Sequence, residues 1–167
     1  MLFHGGFWRH QWTRDLMDAA AVDFARRGWA TWNIEYRRIG LGGGWPATLQ
    51  DAAAAVDHVA ELAASRPIDP DDVVVLGHSA GGQLALWTAA RNGLDEGDPG
   101  ASPRVQPRGA VGLAAVTDVA GAARLGLDDA AAVDFLRRDP DQGRERYRIT
   151  SPIERLPIGV PVVLVHG

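Results

Sequence analysis

The sequence predicts an α/β fold with a mostly parallel sheet and helices on both faces. Three observations carry that expectation. Segments that read as strands alternate with segments that read as helices along the chain. Most of the strand segments (73–76, 109–116 and 160–165) are continuously apolar, the pattern of strands covered on both faces. The glycine-rich run Gly77-His78-Ser79-Ala80-Gly81-Gly82 falls where one of these strands hands over to a helix.

Each element has its own signal. Leu2-Phe3 reads as the end of a strand. Over 12–27, Trp12, Leu16, Ala20 and Phe24 recur four apart with Met17 and Ala21 beside them, which predicts a helix face that Gly28 ends. Residues 29–36 are rich in β-formers and predict a strand. Leu41 to Trp45 is a glycine loop, and Pro46 suits a first helical turn. Leu49, Ala53, Val56, Ala60 and Ala63 then mark a helix to about Ser65. The helix after Ser79 ends near Asn92-Gly93, and 93–108 is a loop of glycine, proline and charge.

Beyond the strand at 109–116 the pattern is mixed. Residues 130–138 read as helical, 137–148 are dense in charge, and Ser151-Pro152 opens a short helix. The stretch 117–157 is a candidate insertion or lid in one domain spanning 1–167. Its charged tract is read as a solvated face, with a partner surface as the competing reading. The last strand, 160–165, carries a buried-strand pattern. Both ends fall on strands, so the sheet is expected to be incomplete at both ends.

Composition narrows the function classes. The 167 residues include no cysteine, which excludes disulfides, thiol catalysis and cysteine-ligated zinc. A net charge of −4 without a basic stripe argues against a nucleic-acid partner. The apolar runs are too short to span a membrane. His4, Gly5 and Gly6 interrupt any signal-peptide pattern, so a cytoplasmic location is expected. No histidine pair with a carboxylate has metal-ligand spacing, so no catalytic metal is expected.

The chemistry concentrates at two places. G-x-S-x-G between strand and helix is the context of a nucleophile elbow, a sharp turn that lifts the Ser79 hydroxyl clear of the sheet. The competing reading, a phosphate-cradling turn, lacks both a Gly-Lys-Ser/Thr ending and G-x-G-x-x-G. Residues 4–8, His-Gly-Gly-Phe-Trp, follow a strand and supply flexible backbone N–H groups for an oxyanion hole. Ala80, which follows the nucleophile, is one expected donor, and Gly5 or Gly6 the other. Phe7 and Trp8 are equally consistent with a substrate pocket and with core packing. His4 is expected to orient its loop by hydrogen bonding, and His78, His58 and His10 to be structural. The chain order Ser79, Asp118, His166 matches a triad, but His166 closes a strand where a mobile loop is needed.

These segments resemble the α/β-hydrolase superfamily. More narrowly, they are similar to the esterase branch containing kynurenine formamidase (arylformamidase) and related small carboxylesterases. The resemblance rests on H-G-G-F-W at 4–8, E-Y-R at 35–37, G-H-S-A-G-G-Q-L-A at 77–85 and V-P-V-V-L-V-H-G at 160–167. Phe7 and His78 stand where hormone-sensitive-lipase-like esterases show glycine and aspartate. The resemblance implies a cofactor-free serine hydrolase acting on a small ester or aryl formamide through an acyl-enzyme on Ser79. It also implies that the triad acid follows the strand ending at His166-Gly167 and that the histidine comes one strand later. The alternative is a truncated, non-catalytic relic of the fold.

Overall fold

A computed structural model describes residues 1–167. Five strands form one parallel sheet in the order β2-β1-β3-β4-β5. They are β1 (Leu2–Phe3), β2 (Asn33–Ile34), β3 (Val74–His78), β4 (Gly109–Leu113) and β5 (Val162–Val165). Between β1 and β2 lies α1 (Asp18–Arg26), and between β2 and β3 lie α2 (Ala47–Asp57) and α3 (Val59–Ala63). α4 (Ala80–Ala89) links β3 to β4. The residues between β4 and β5 hold α5 (Val119–Arg124), α6 (Leu127–Leu136) and α7 (Arg144–Thr150). Strand–helix alternation therefore produces the parallel sheet that the sequence predicts.

α4 is the centre of the core. All ten of its residues are buried, which explains why its sequence is apolar without a polar stripe. It packs on β1, β3, β4 and α2. Leu84 and Leu86 are almost fully excluded from solvent; burial of such a side chain contributes about 1.5–3 kcal/mol. Helix and strand approach this closely because of glycine. A Cβ at Gly81 would run into the backbone of Phe3 and His4, which carry the chain from β1 into the H-G-G loop.

Several expectations need correction. The 29–36 strand contracts to two paired residues, because its only partner is β1 and β1 itself pairs over two residues. The 12–27 helix forms as a 3₁₀ turn (Arg14–Met17) followed by α1, but of its apolar face only Met17 is buried. Trp12 and Leu16 are exposed, and α1 has no buried residue. β5 is an edge strand, and all four of its residues are exposed. Its apolar sequence is that of a covered strand, but no element within 1–167 lies over it. Instead it walls an open groove of about 810 Å³ together with Leu86, Ile153, Leu156 and Ile158.

Candidate active site

β3 ends at His78, and α4 begins at Ala80. Ser79 alone makes the turn, with φ 54° and ψ −118°, a conformation costly for a residue with a Cβ. Its N–H donates to the Leu113 carbonyl (2.8 Å), and its carbonyl accepts from Gln83 (3.0 Å) and Val116 (3.3 Å). The strained backbone is thus held from β4 and from α4. The half-buried side chain makes no hydrogen bond to the rest of the chain and stands free at the carboxyl end of the sheet. Such free presentation of a hydroxyl is what an elbow supplies.

The H-G-G loop lies against this turn. A Cβ built on Gly5 would sit 3.3 Å from Ser79 Cβ and 2.8 Å from His78 Nδ1, so only glycine fits there. The N–H groups of Gly5 and Gly6 donate to no carbonyl, and Ala80, first in α4, has no intrahelical acceptor within reach. Unpaired donors therefore flank a free hydroxyl. Gly6, Phe7 and Trp8 all take positive φ (106°, 49° and 57°), which concentrates strained backbone in this loop.

His4 is fully buried beneath the loop. Its ring stacks on Tyr36, with centroids 4.3 Å apart and planes 7° from parallel. Nδ1 meets the Gly5 carbonyl at 2.8 Å, and Nε2 meets Glu35 Oε1 at 2.9 Å. The Tyr36 hydroxyl donates to the His4 carbonyl (2.8 Å). His4 thus fastens the loop, as its position suggested. Glu35 was legible only as part of a charged strand end; its alternation with buried Ile34 and Tyr36 was the available signal.

Trp8 is not a pocket wall. It is 1% exposed, stacks on Phe135 (centroids 4.4 Å, 5°) and donates its indole N–H to Gln83 (3.0 Å). Phe7 is half-buried and makes a T-shaped pair with Trp8 (centroids 6.5 Å, 74°). Gln83 was missed by sequence reasoning, although one amide in the mostly apolar run from Ala80 to Ala90 marks a buried polar partner. Asp118 spends its carboxylate capping α5 through Gly121 N–H (2.7 Å). His166 follows exposed β5, two strands away from β3, roughly 10 Å across the sheet. Ser79, Asp118 and His166 share no hydrogen bond, so no internal triad is assembled. His58 pairs with Glu61 (2.8 Å) at the break between α2 and α3, and His10 is exposed. No cluster of three His, Cys, Asp or Glu side chains is placed to hold a metal ion.

The tract 137–148 is not purely solvated. Arg137 donates to the Gly43 carbonyl (2.9 Å), Arg146 lies over the Trp45 ring (5.4 Å), and Tyr147 is buried. A second, polar cavity of about 460 Å³ opens here beside Arg124, Arg144, Tyr147 and Glu154. Neither it nor the groove beside β5 is lined by Ser79.

Comparison with known families resolves the lineage of this geometry, because the family described as BD-FAE matches residues 1–167. The chain belongs to the BD-FAE family. No curated protein matches the sequence. Among solved structures, a truncated carbohydrate esterase from gut microbiota is 22% identical with a TM-score of 0.76, covering 99% of this chain and 65% of that one. Esterase B from Lactobacillus rhamnosis (HN001) is 21% identical with a TM-score of 0.80, covering 98% of this chain and 53% of that one. An esterase from the planctomycete Thermogutta terrifontis, with butyrate bound, is 23% identical with a TM-score of 0.74, covering 98% and 58%. At these identities the likeness establishes the α/β-hydrolase fold of this BD-FAE member. The chain spans between half and two thirds of the length of these three structures. None of these three structures is named as an arylformamidase, and the family match does not support that narrower resemblance.

Proposed function

We propose that this BD-FAE member is a serine esterase in which Ser79 forms an acyl-enzyme with a small carboxylic ester. The observation that carries the reading is Ser79 itself. A strained residue between β3 and α4 holds a hydroxyl free, with unpaired backbone N–H groups beside it. Ser79 Oγ attacks the ester carbonyl, and its proton passes to a histidine. The oxygen that becomes negative is held by Ala80 N–H and a glycine N–H of the H-G-G loop. The alcohol departs with that proton, and water then releases the acid by the reverse sequence. The histidine and its carboxylate partner belong, in this proposal, to residues following Gly167, because no imidazole within 1–167 hydrogen-bonds to the Ser79 hydroxyl.

The neighbours named as esterases support an ester over an amide, and Phe7 and His78 remain the two residues favouring an aryl formamide. Fluorophosphonate labelling of the full-length protein tests the nucleophile. Covalent modification mapped to Ser79, and lost in Ser79→Ala, is the expected result; a protein inert at Ser79 defeats the reading. Turnover of p-nitrophenyl acetate set against formanilide decides between ester and formamide.

A further inference from the structure

We infer that Glu35, acting through His4, is a positioning residue that aims the Gly6 N–H as the loop's oxyanion donor. The inference rests on the serine-esterase reading for its meaning, and on the contacts around His4 and Glu35 for its geometry. The His4 ring lies between two acceptors: the Gly5 carbonyl at Nδ1 (2.8 Å) and a Glu35 carboxylate oxygen at Nε2 (2.9 Å). With the Glu35 carboxylate ionised, both hydrogen bonds exist together only when both ring nitrogens carry a proton. With one proton removed, a nitrogen lone pair faces an oxygen lone pair on one side or the other. Glu35 therefore supplies the negative charge that lets His4 hold the Gly5 carbonyl.

The Gly5 carbonyl and the Gly6 N–H belong to one planar trans peptide, so they point in opposite directions. Pinning the carbonyl beneath the loop turns the N–H outward. That N–H donates to nothing in the chain, and Gly6 takes φ 106°, which a residue with a side chain rarely adopts. The remaining groups around His4 hold the pair in register. Tyr36 covers the ring face and donates to the His4 carbonyl, so it does not compete for Glu35. Arg38 Nε stands 3.4 Å from Glu35 Oε1, and the backbone N–H groups of Tyr36 and Arg14 donate to the carboxylate at 3.2 Å each. His78, across Gly5, is exposed and does not bond to His4.

The test separates positioning from mere stability. In the full-length protein, Glu35→Ala should lower the limiting rate of fluorophosphonate labelling by roughly tenfold, a smaller loss than outright removal of an oxyanion donor. Reagent affinity and the fraction of protein finally labelled should not change. Glu35→Gln should recover most of the rate, because its amide can donate to an unprotonated Nε2 while Nδ1–H keeps the Gly5 carbonyl. A structural role would instead lower the labelled fraction and leave the limiting rate intact, which overturns the inference. Nitrogen NMR of His4 in the wild-type protein reads the same point without any activity and without a variant that must fold. Protons on both ring nitrogens support the inference, and an unprotonated Nδ1 overturns it. A wild-type protein whose Ser79 does not label defeats the esterase reading alone, since the NMR result stands apart from it.

Discussion

Trp8 and Gln83 are joined by an indole N–H bond of 3.0 Å that ties the H-G-G loop to α4, the helix following Ser79. The Gln83 amide continues the link by donating to the Thr150 carbonyl at the end of α7 (3.0 Å). Both polar atoms of one buried side chain therefore hold the H-G-G loop and the 117–157 excursion to the same face of α4. Gln83→Leu keeps the volume and orphans both the Trp8 N–H and the Thr150 carbonyl. Each buried group left unpaired costs about 1–3 kcal/mol. We expect urea unfolding to show a loss of several kcal/mol, and a loss below 1 kcal/mol would show that the link is not made.

Ser79 carries strained backbone at the turn between β3 and α4. A residue with a Cβ at φ 54°, ψ −118° carries a cost of about 1–3 kcal/mol that glycine escapes. Glycine gives back about 0.5–1 kcal/mol through the greater freedom of its unfolded chain. Ser79→Gly is therefore expected to be more stable than Ser79→Ala by about 1 kcal/mol while being equally inert to fluorophosphonate. Paired calorimetric melts decide it, and an alanine variant that melts higher removes the argument for strain.

The sequence shows the β3–Ser79–α4 unit clearly, because an apolar run, a cluster of small residues and a largely apolar helix are each local signals. Neighbours distant in sequence decide the rest. The β-formers at 29–36 do not reveal that β1 offers only two residues for pairing. The valines of β5 specify a surface that prefers burial, yet exposure depends on what lies across them. Trp8 has the composition of a pocket wall as much as of a core residue, and Gln83, 75 positions away, settles which it is. Glu35 reads as one charge among several until His4 is seen facing it.

Arg91 and Asp57 form a buried pair whose loss should be felt throughout α2 and the 93–108 loop. The guanidinium is 1% exposed and meets the carboxylate at 2.6 and 3.1 Å. Asp57 also accepts from the backbone N–H of Arg104 (2.9 Å) and Val105 (3.2 Å). Asp57→Ala strands a buried cation, which typically costs about 3–5 kcal/mol. Arg91 keeps its bond to the Gly100 carbonyl (2.7 Å), which places the expected loss at the lower end. Adding Arg91→Met should restore part of the stability by removing the orphaned charge. If the double variant proves weaker than Asp57→Ala, the cost lies in the loop contacts instead.

Alkaline stability follows from the two tyrosines, the only ones in the chain. Both are buried, and each donates its hydroxyl to a backbone carbonyl, Tyr36 to His4 and Tyr147 to Arg138, at 2.8 Å. Burial pushes the Tyr147 phenol up to about 12, with Asp139 adding to the rise. Burial raises Tyr36 as well, with the Glu35 carboxylate adding to it. In the unfolded chain both ionise near about 10. The folded values lie above the unfolded ones, so this contribution to stability is complete below about pH 10 and is lost as pH rises beyond it. Titrating phenolate absorbance should therefore show almost no ionisation near pH 10 while the fold persists. Tyrosinate should then appear together with the loss of secondary structure. One equivalent of phenolate forming near pH 10 in a folded protein would show that a hydroxyl is open to solvent, and Tyr147, bordering the polar cavity, is where that failure would lie.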